Sequence, residues 1–242
     1  MTKTVCVLGL SSLLIAGLCD EATAQSRPAP ETSAFINVGI GAQPQQRTVN
    51  ATDTFSLFDE LATIASTAQI RKGAMFEVGG GYRVAPQFAI AAGFSSFGRP
   101  GTGTLTASIP DPLVYDQPMQ LSRDASDLAH TERGVHLQAV YFIPVGRNVD
   151  LSLSAGPSFI HVSQQIATAS VSSDAQNVEI ASKTESGTAT GINAGMQVNY
   201  MFAPRYGVGF FVGYAGGSVD LPSAPGLKVG GVRTGFALQA RF

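Results

Sequence analysis

Gly235-Phe236-Ala237-Leu238-Gln239-Ala240-Arg241-Phe242 divides into two rows. Phe236, Leu238, Ala240 and Phe242 form one, and Gly235, Ala237, Gln239 and Arg241 the other. Successive side chains of a β-strand point to opposite faces, so the stretch reads as a strand with an apolar face and a small or polar face. Working back from it, the same alternation recurs. Tyr206 to Tyr214 sets Tyr206, Val208, Phe210, Val212 and Tyr214 against three glycines and Phe211. Further alternating runs cover 192–202, 149–156 (continuing to His161 or Gln165), 135–143, 88–95, 76–84 and 34–42.

These eight runs predict an all-β fold. Tight turns at Ala85-Pro86, Pro144 to Asn148 and Ala203-Pro204-Arg205 alternate with four longer connections. The connections at 98–132 and 167–187 read as loops rich in Ser, Thr and Pro or Ala, and a shorter one carries Pro222 and Pro225. In the connection 43–71, Phe55, Phe58, Leu61 and Ile64 recur at about every third position, which suggests a short amphipathic helix over 53–66, with flared strand ends as the competing reading. Sorting short turns to one end and long loops to the other is the pattern of an eight-stranded antiparallel up-and-down transmembrane β-barrel over 34–242.

Composition points the same way. Charged residues are 13% of the chain, against about 25% in soluble domains. A net charge of −2 offers no basic footprint for nucleic acid. Residues 1–24 read as a signal peptide: Lys3, an apolar run from Val5 to Leu18, then Ala22-Thr23-Ala24 before Gln25 as first mature residue. Residues 25–33 read as a flexible periplasmic arm. Cys6 and Cys19 both fall in the leader, which leaves no thiolate chemistry for the mature chain. Past the leader no run of about 18 apolar residues supplies a transmembrane helix.

The second set of each strand is dominated by Gly, Ala, Ser, Asn and Gln, too uncharged for a water-facing exterior. It therefore belongs inside, with Phe76, Ile90, Leu137, Leu153, Val198, Phe210 and Leu238 toward lipid and the tyrosines beside the short turns as an interfacial girdle. The inward set includes Glu77, Arg83, His136, Asp150, Arg233 and Arg241. Confined charges must pair or meet water, so they read as a lumenal charge network that plugs the barrel. The alternative is a gate whose ion pairs exchange to open a narrow pore.

The element order and the terminal Phe resemble the family of small outer-membrane barrels that includes the transmembrane domain of outer-membrane protein A and the opacity-type adhesins. That resemblance implies a monomeric protein of the cell outer membrane with a structural or surface-contact role through long extracellular loops. It also makes Phe236, Leu238, Ala240 and Phe242 an assembly signal for the barrel insertion machinery. Its partners would be outer-membrane lipid and lipopolysaccharide, with no cofactor, no metal and no nucleic acid.

One motif carries chemistry. His161-Val162-Ser163 puts imidazole and hydroxyl on one face near the loop end of a strand. It resembles the His-x-Ser pair of the lipid A deacylases, in which His deprotonates Ser and a later Glu orients the His. Here that Glu would be Glu179 or Glu185, and Gln164 stands where the family carries Asn. The three histidines, His130, His136 and His161, are too scattered for a metal site, and the favoured expectation is a protein without enzymatic activity.

Overall fold

The computed structural model describes residues 33–111, 113–171 and 178–242, and over these the chain is antiparallel β-sheet with no helix. The leader over 1–24, with Ala22, Ala24 and Gln25, and the arm over 25–32 lie outside the described residues. The strands are β1 (Ala34–Gln43), β2 (Arg47–Leu57), β3 (Glu60–Ile70), β4 (Gly73–Ala85) and β5 (Phe88–Ile109). They continue as β6 (Met119–Pro144), β7 (Val149–Val171), β8 (Val178–Met201), β9 (Tyr206–Val219) and β10 (Leu227–Arg241).

Eight of these close an up-and-down ring in the order β1-β4-β5-β6-β7-β8-β9-β10. The seam pairs Ile36 with Ala240 and Val38 with Leu238. Ala34 and Phe242 complete it by exchanging backbone hydrogen bonds of 3.0 and 2.8 Å.

The ring is uneven in height. β5 to β8 run for 22 to 26 residues, whereas β1, β4, β9 and β10 run for 10 to 15. A membrane crossing takes about 9–11 residues per strand, so the four long strands rise well beyond the bilayer. The β2–β3 hairpin fills the low side. Where β4 stops pairing with β5 at Met75↔Phe97, β3 takes over from Gln69↔Thr102 to Thr63↔Ser108. The β9–β10 connection touches the hairpin's other edge, with Thr52 N donating to Ser223 O at 2.9 Å.

The expected helix over 53–66 is therefore a hairpin, and its cause is local. Thr48, Asn50, Thr52, Thr54 and Ser56 alternate with Val49, Ala51, Asp53, Phe55 and Leu57, a period of two. Among the four residues that suggested a helix, Phe55 and Ile64 face inward, Phe58 sits in the turn and Leu61 is exposed. The expected loops at 98–132 and 167–187 are likewise mostly strand. Thr102, Thr104, Thr106 and Ser108 face out while Leu105, Ala107 and Ile109 are buried.

The two ends of the barrel bury opposite chemistry. Outward on β8 run Ser182, Thr184, Ser186, Thr188 and Thr190, then Ile192, Ala194, Met196, Val198 and Tyr200. Inside, the long-loop end holds a large apolar core that includes Ile64, Ile70, Phe97, Leu105, Val162 and Leu227. At the short-turn end the apolar cluster is small: Phe35, Ala89, Ala91, Val140 and Phe142. All seven residues assigned to lipid from the sequence are exposed.

Candidate functional site: the filled lumen and its outer end

The lumen is stacked in layers. At the short-turn end Arg241 Nη2 pairs with Asp150 Oδ2 at 2.7 Å and reaches Gln239 Oε1 at 2.6 Å. Asn199 Nδ2 donates to the other Asp150 oxygen at 2.8 Å. Arg83 stacks over Phe142 at 4.1 Å and donates to Pro86 O at 2.9 Å. Above this lies a cavity of about 70 Å³ bordered by Asn37, Gly79, Gln138, Ser152 and Gln197, polar and large enough for a few waters. Asn37 Oδ1 and Arg233 Nε, both buried without a partner among the described residues, belong to residues of its wall.

The next layer pairs Arg233 Nη1 with Glu77 Oε2 at 2.8 Å. His136 lies 3.5 Å from Arg233 Nη1 and is held by Ser95 Oγ at 2.8 Å and Ser158 Oγ at 2.7 Å. Asn193 Nδ2 closes the layer with 2.9 Å bonds to Ser158 Oγ and Pro157 O. The six charged residues singled out in the sequence thus fall into two groups, Asp150 with Arg241 and Arg83, and Glu77 with Arg233 and His136, on either side of the cavity.

A third polar layer escaped the sequence reading. Glu132 Oε1 accepts from Arg47 Nη2 at 2.7 Å and lies 2.9 Å from His130 Nε2. His130 Nδ1 contacts Gln164 Oε1 at 2.6 Å. Gly230 N–H donates to both Glu132 oxygens at 3.2 Å. Gly230 sits at φ +81°, and a Cβ there would overlap the Ala215 carbonyl; only glycine presents its N–H so closely. Burial pushes the Glu132 carboxyl up, but the hydrogen bonds and positive charge of His130 and Arg47 outweigh it and hold it at about 2. The signal was available: Leu128, His130, Glu132, Gly134 and His136 form one inward row of β6.

Glu132 ties the hairpin, through Arg47, to the ring. Above it the apolar core closes the lumen, and two neighbouring turns stand on the wall there. Phe58 and Asp59, at φ 54° and 61°, make a two-residue turn between Leu57 and Glu60. Hairpin turns of this type favour Asn-Gly, and a bulky residue at positive φ is a genuine outlier. The neighbouring turn exposes Leu113 at 91% and Tyr115 at 79%, and its Asp116 N–H donates to Glu60 Oε1 at 3.1 Å.

His161 and Ser163 both face outward from β7, and His161 Nδ1 lies 3.2 Å from Thr188 Oγ1. Glu185 is buried on the opposite side of the wall, its carboxylate accepting from Ser223 N at 3.0 Å and Ser223 Oγ at 2.7 Å. Glu185 therefore does not meet His161. The side chain of Glu179 lies outside the described residues. Phe236, Leu238 and Phe242 are exposed on the outer face beside the seam, with Ala240 half-buried. Among the described residues no three His, Cys, Asp or Glu side chains gather as a metal site.

A closed ring, an apolar belt outside and a paired polar interior together define a transmembrane β-barrel of the outer-membrane kind. The class is the small eight-stranded barrel, with a β-hairpin added to one wall.

No family model matches the chain, and no curated protein matches it. Among solved structures it is similar to Neisserial surface protein A (NspA), with 10% identity, 86% of this chain and 97% of that one covered, and a TM-score of 0.46. It is similar to the outer membrane protein OprG from Pseudomonas aeruginosa at 13% identity, 87% and 96% coverage and a TM-score of 0.48. The outer membrane protease OmpT from Escherichia coli gives 10%, 88% and 97%, with a TM-score of 0.45. Values this low leave the fold to the geometry above and carry nothing about activity.

Proposed function

We propose that this outer-membrane barrel is a closed, monomeric surface-contact protein that works through its long-loop end. In barrels of this kind short turns face the periplasm and long connections face the exterior. The observation that carries the reading is the apex. Phe58 keeps an unfavourable backbone conformation in a turn where Asn would be relaxed, and it stands beside exposed Leu113 and Tyr115. Backbone strain at an exposed position points to a residue retained for contact, and the apolar core beneath gives the apex a rigid base. Assembly would run through the insertion machinery reading the outward row of Phe236, Leu238 and Phe242.

The test compares attachment of cells displaying the wild-type protein with cells displaying a Phe58→Ser, Leu113→Ser, Tyr115→Ser variant. Heat-shifted gel mobility verifies that both barrels are folded. Loss of attachment to other cells and to abiotic surfaces is expected; unchanged attachment to all of them overturns the reading.

A gated pore is the second reading, favoured by the cavity between two ion-paired layers. Planar bilayer recordings separate the two. The closed barrel passes no steady current in wild type or in Glu77→Ala, whereas a pore gated by the Glu77–Arg233 pair opens further in the variant.

A further inference from the structure

The outward row of the long strands changes character within one step. Phe94, Val135 and Phe159 are paired laterally across β5, β6 and β7, and they end the apolar belt there. Two residues further out, Ser96, Arg133, His161 and Thr188 are paired laterally across β5 to β8. Arg133 and His161 stand directly opposite each other, which puts their Cβ atoms about 4.5–5.5 Å apart. Both are exposed, and among the described residues the Arg133 side chain has neither an ion pair nor a hydrogen bond. The outward neighbours Thr131, Ser163 and Thr188 are hydroxyls, and no carboxylate stands among them.

We propose that Arg133 and His161, with the surrounding hydroxyls, bind the phosphate of an outer-leaflet lipid, a phosphorylated glycolipid of the lipid A type. Three features combine. The height is that of a head group, because the row sits one step beyond the hydrocarbon-facing residues. The direction is sideways into the lipid, away from the aqueous apex, which selects a membrane lipid over a dissolved ion. The chemistry is a planar guanidinium that matches phosphate oxygens in a bidentate way, beside imidazole and hydroxyl donors. His161 contacts Thr188 through Nδ1, so Nε2 is the ring nitrogen that would meet a ligand. His161 and Ser163 thereby acquire a role that needs no bond cleavage and no partner such as Glu185.

Native mass spectrometry of the full barrel in neutral detergent tests this with bisphosphorylated lipid A and the same lipid dephosphorylated. The phosphorylated lipid should bind wild type and Arg205→Gln, a variant at the opposite end, alike. An Arg133→Gln, His161→Gln double variant should bind it about tenfold more weakly, the loss of one charge-assisted contact. The dephosphorylated lipid should bind all three equally weakly. Both altered positions are on the outer surface, and gel mobility verifies folding. Equal binding of phosphorylated lipid by the double variant overturns the proposal, as does equal binding of the two lipids by wild type. Displacement by millimolar inorganic phosphate also overturns it, by making the site one for a free ion.

Discussion

The same four strands, β5 to β8, build two tiers of opposite polarity. In the membrane tier their outward rows are mainly apolar, with Phe94, Leu137, Leu153 and Val198, and their inward rows hold His136 and Asn193, joined by Glu77 from β4 and Arg233 from β10. In the outer tier the outward rows are rich in Thr and Ser, and the inward rows hold Leu105, Ile109, Val162 and Ile166. The strand geometry does not change at the boundary; the solvent does. Lipid leaves no reward for burying apolar groups inside, so the lumen there is held by paired polar groups. Water restores that reward, and the outer tier packs like a soluble sandwich. The polar layer around Glu132 lies just above the junction.

If the tiers are distinct in this sense, matched substitutions should invert their effects. Leu105→Ala in the outer core should lower unfolding stability in urea by about 2–5 kcal/mol, while its outward neighbour Thr104→Ala changes it by less than about 0.5 kcal/mol. On the membrane face the outward position becomes the sensitive one. Leu137→Arg should cost about 2–4 kcal/mol, measured by unfolding from lipid vesicles, and Thr106→Arg on the outer tier should be silent. Equal effects at Leu137 and Thr106 would remove the boundary between the tiers.

The junction itself should show in pH. The folded Glu132 carboxyl sits at about 2, below its ordinary 4.5. Its contribution is therefore complete above pH 4.5 and lost as pH falls toward 2, an increment of about 3 kcal/mol. Unfolding midpoints across that window should fall more steeply in wild type than in Glu132→Gln; parallel curves would remove Glu132 as the clamp on Arg47. The smallest effect belongs to the apex. Replacing Phe58-Asp59 by Asn-Gly should raise stability by about 0.5–1 kcal/mol while weakening attachment, and no gain in stability would argue against strain at Phe58.

The membrane tier was legible in the sequence because its alternation contrasts large apolar with small residues. Phe76, Leu137 and Phe210 stand out against Gly and Ser, and a period of two is then visible without partners. The outer tier alternates too, but Thr against Ala or Leu is a weak contrast. Pro and Gly among residues 98–118 added the appearance of loops. At 53–66 a chance spacing of three in Phe55, Phe58, Leu61 and Ile64 masked the Thr rows beside it. The lumenal charges were recognisable one by one, since each sits in an inward row, but their partners were not.

Sequence alone determined the ring. The number of crossing strands, the face each turns to lipid and the sorting of connections follow from local alternation, which one strand carries by itself. Only the tertiary structure decided what fills the ring. Glu77 meets Arg233 across 156 residues and Glu132 meets Gly230 across 98, pairings that depend on register and ring closure. The same holds for the outer tier, where the hairpin's apolar row finds a core only because β5 outlasts β4 and leaves β3 an edge to join.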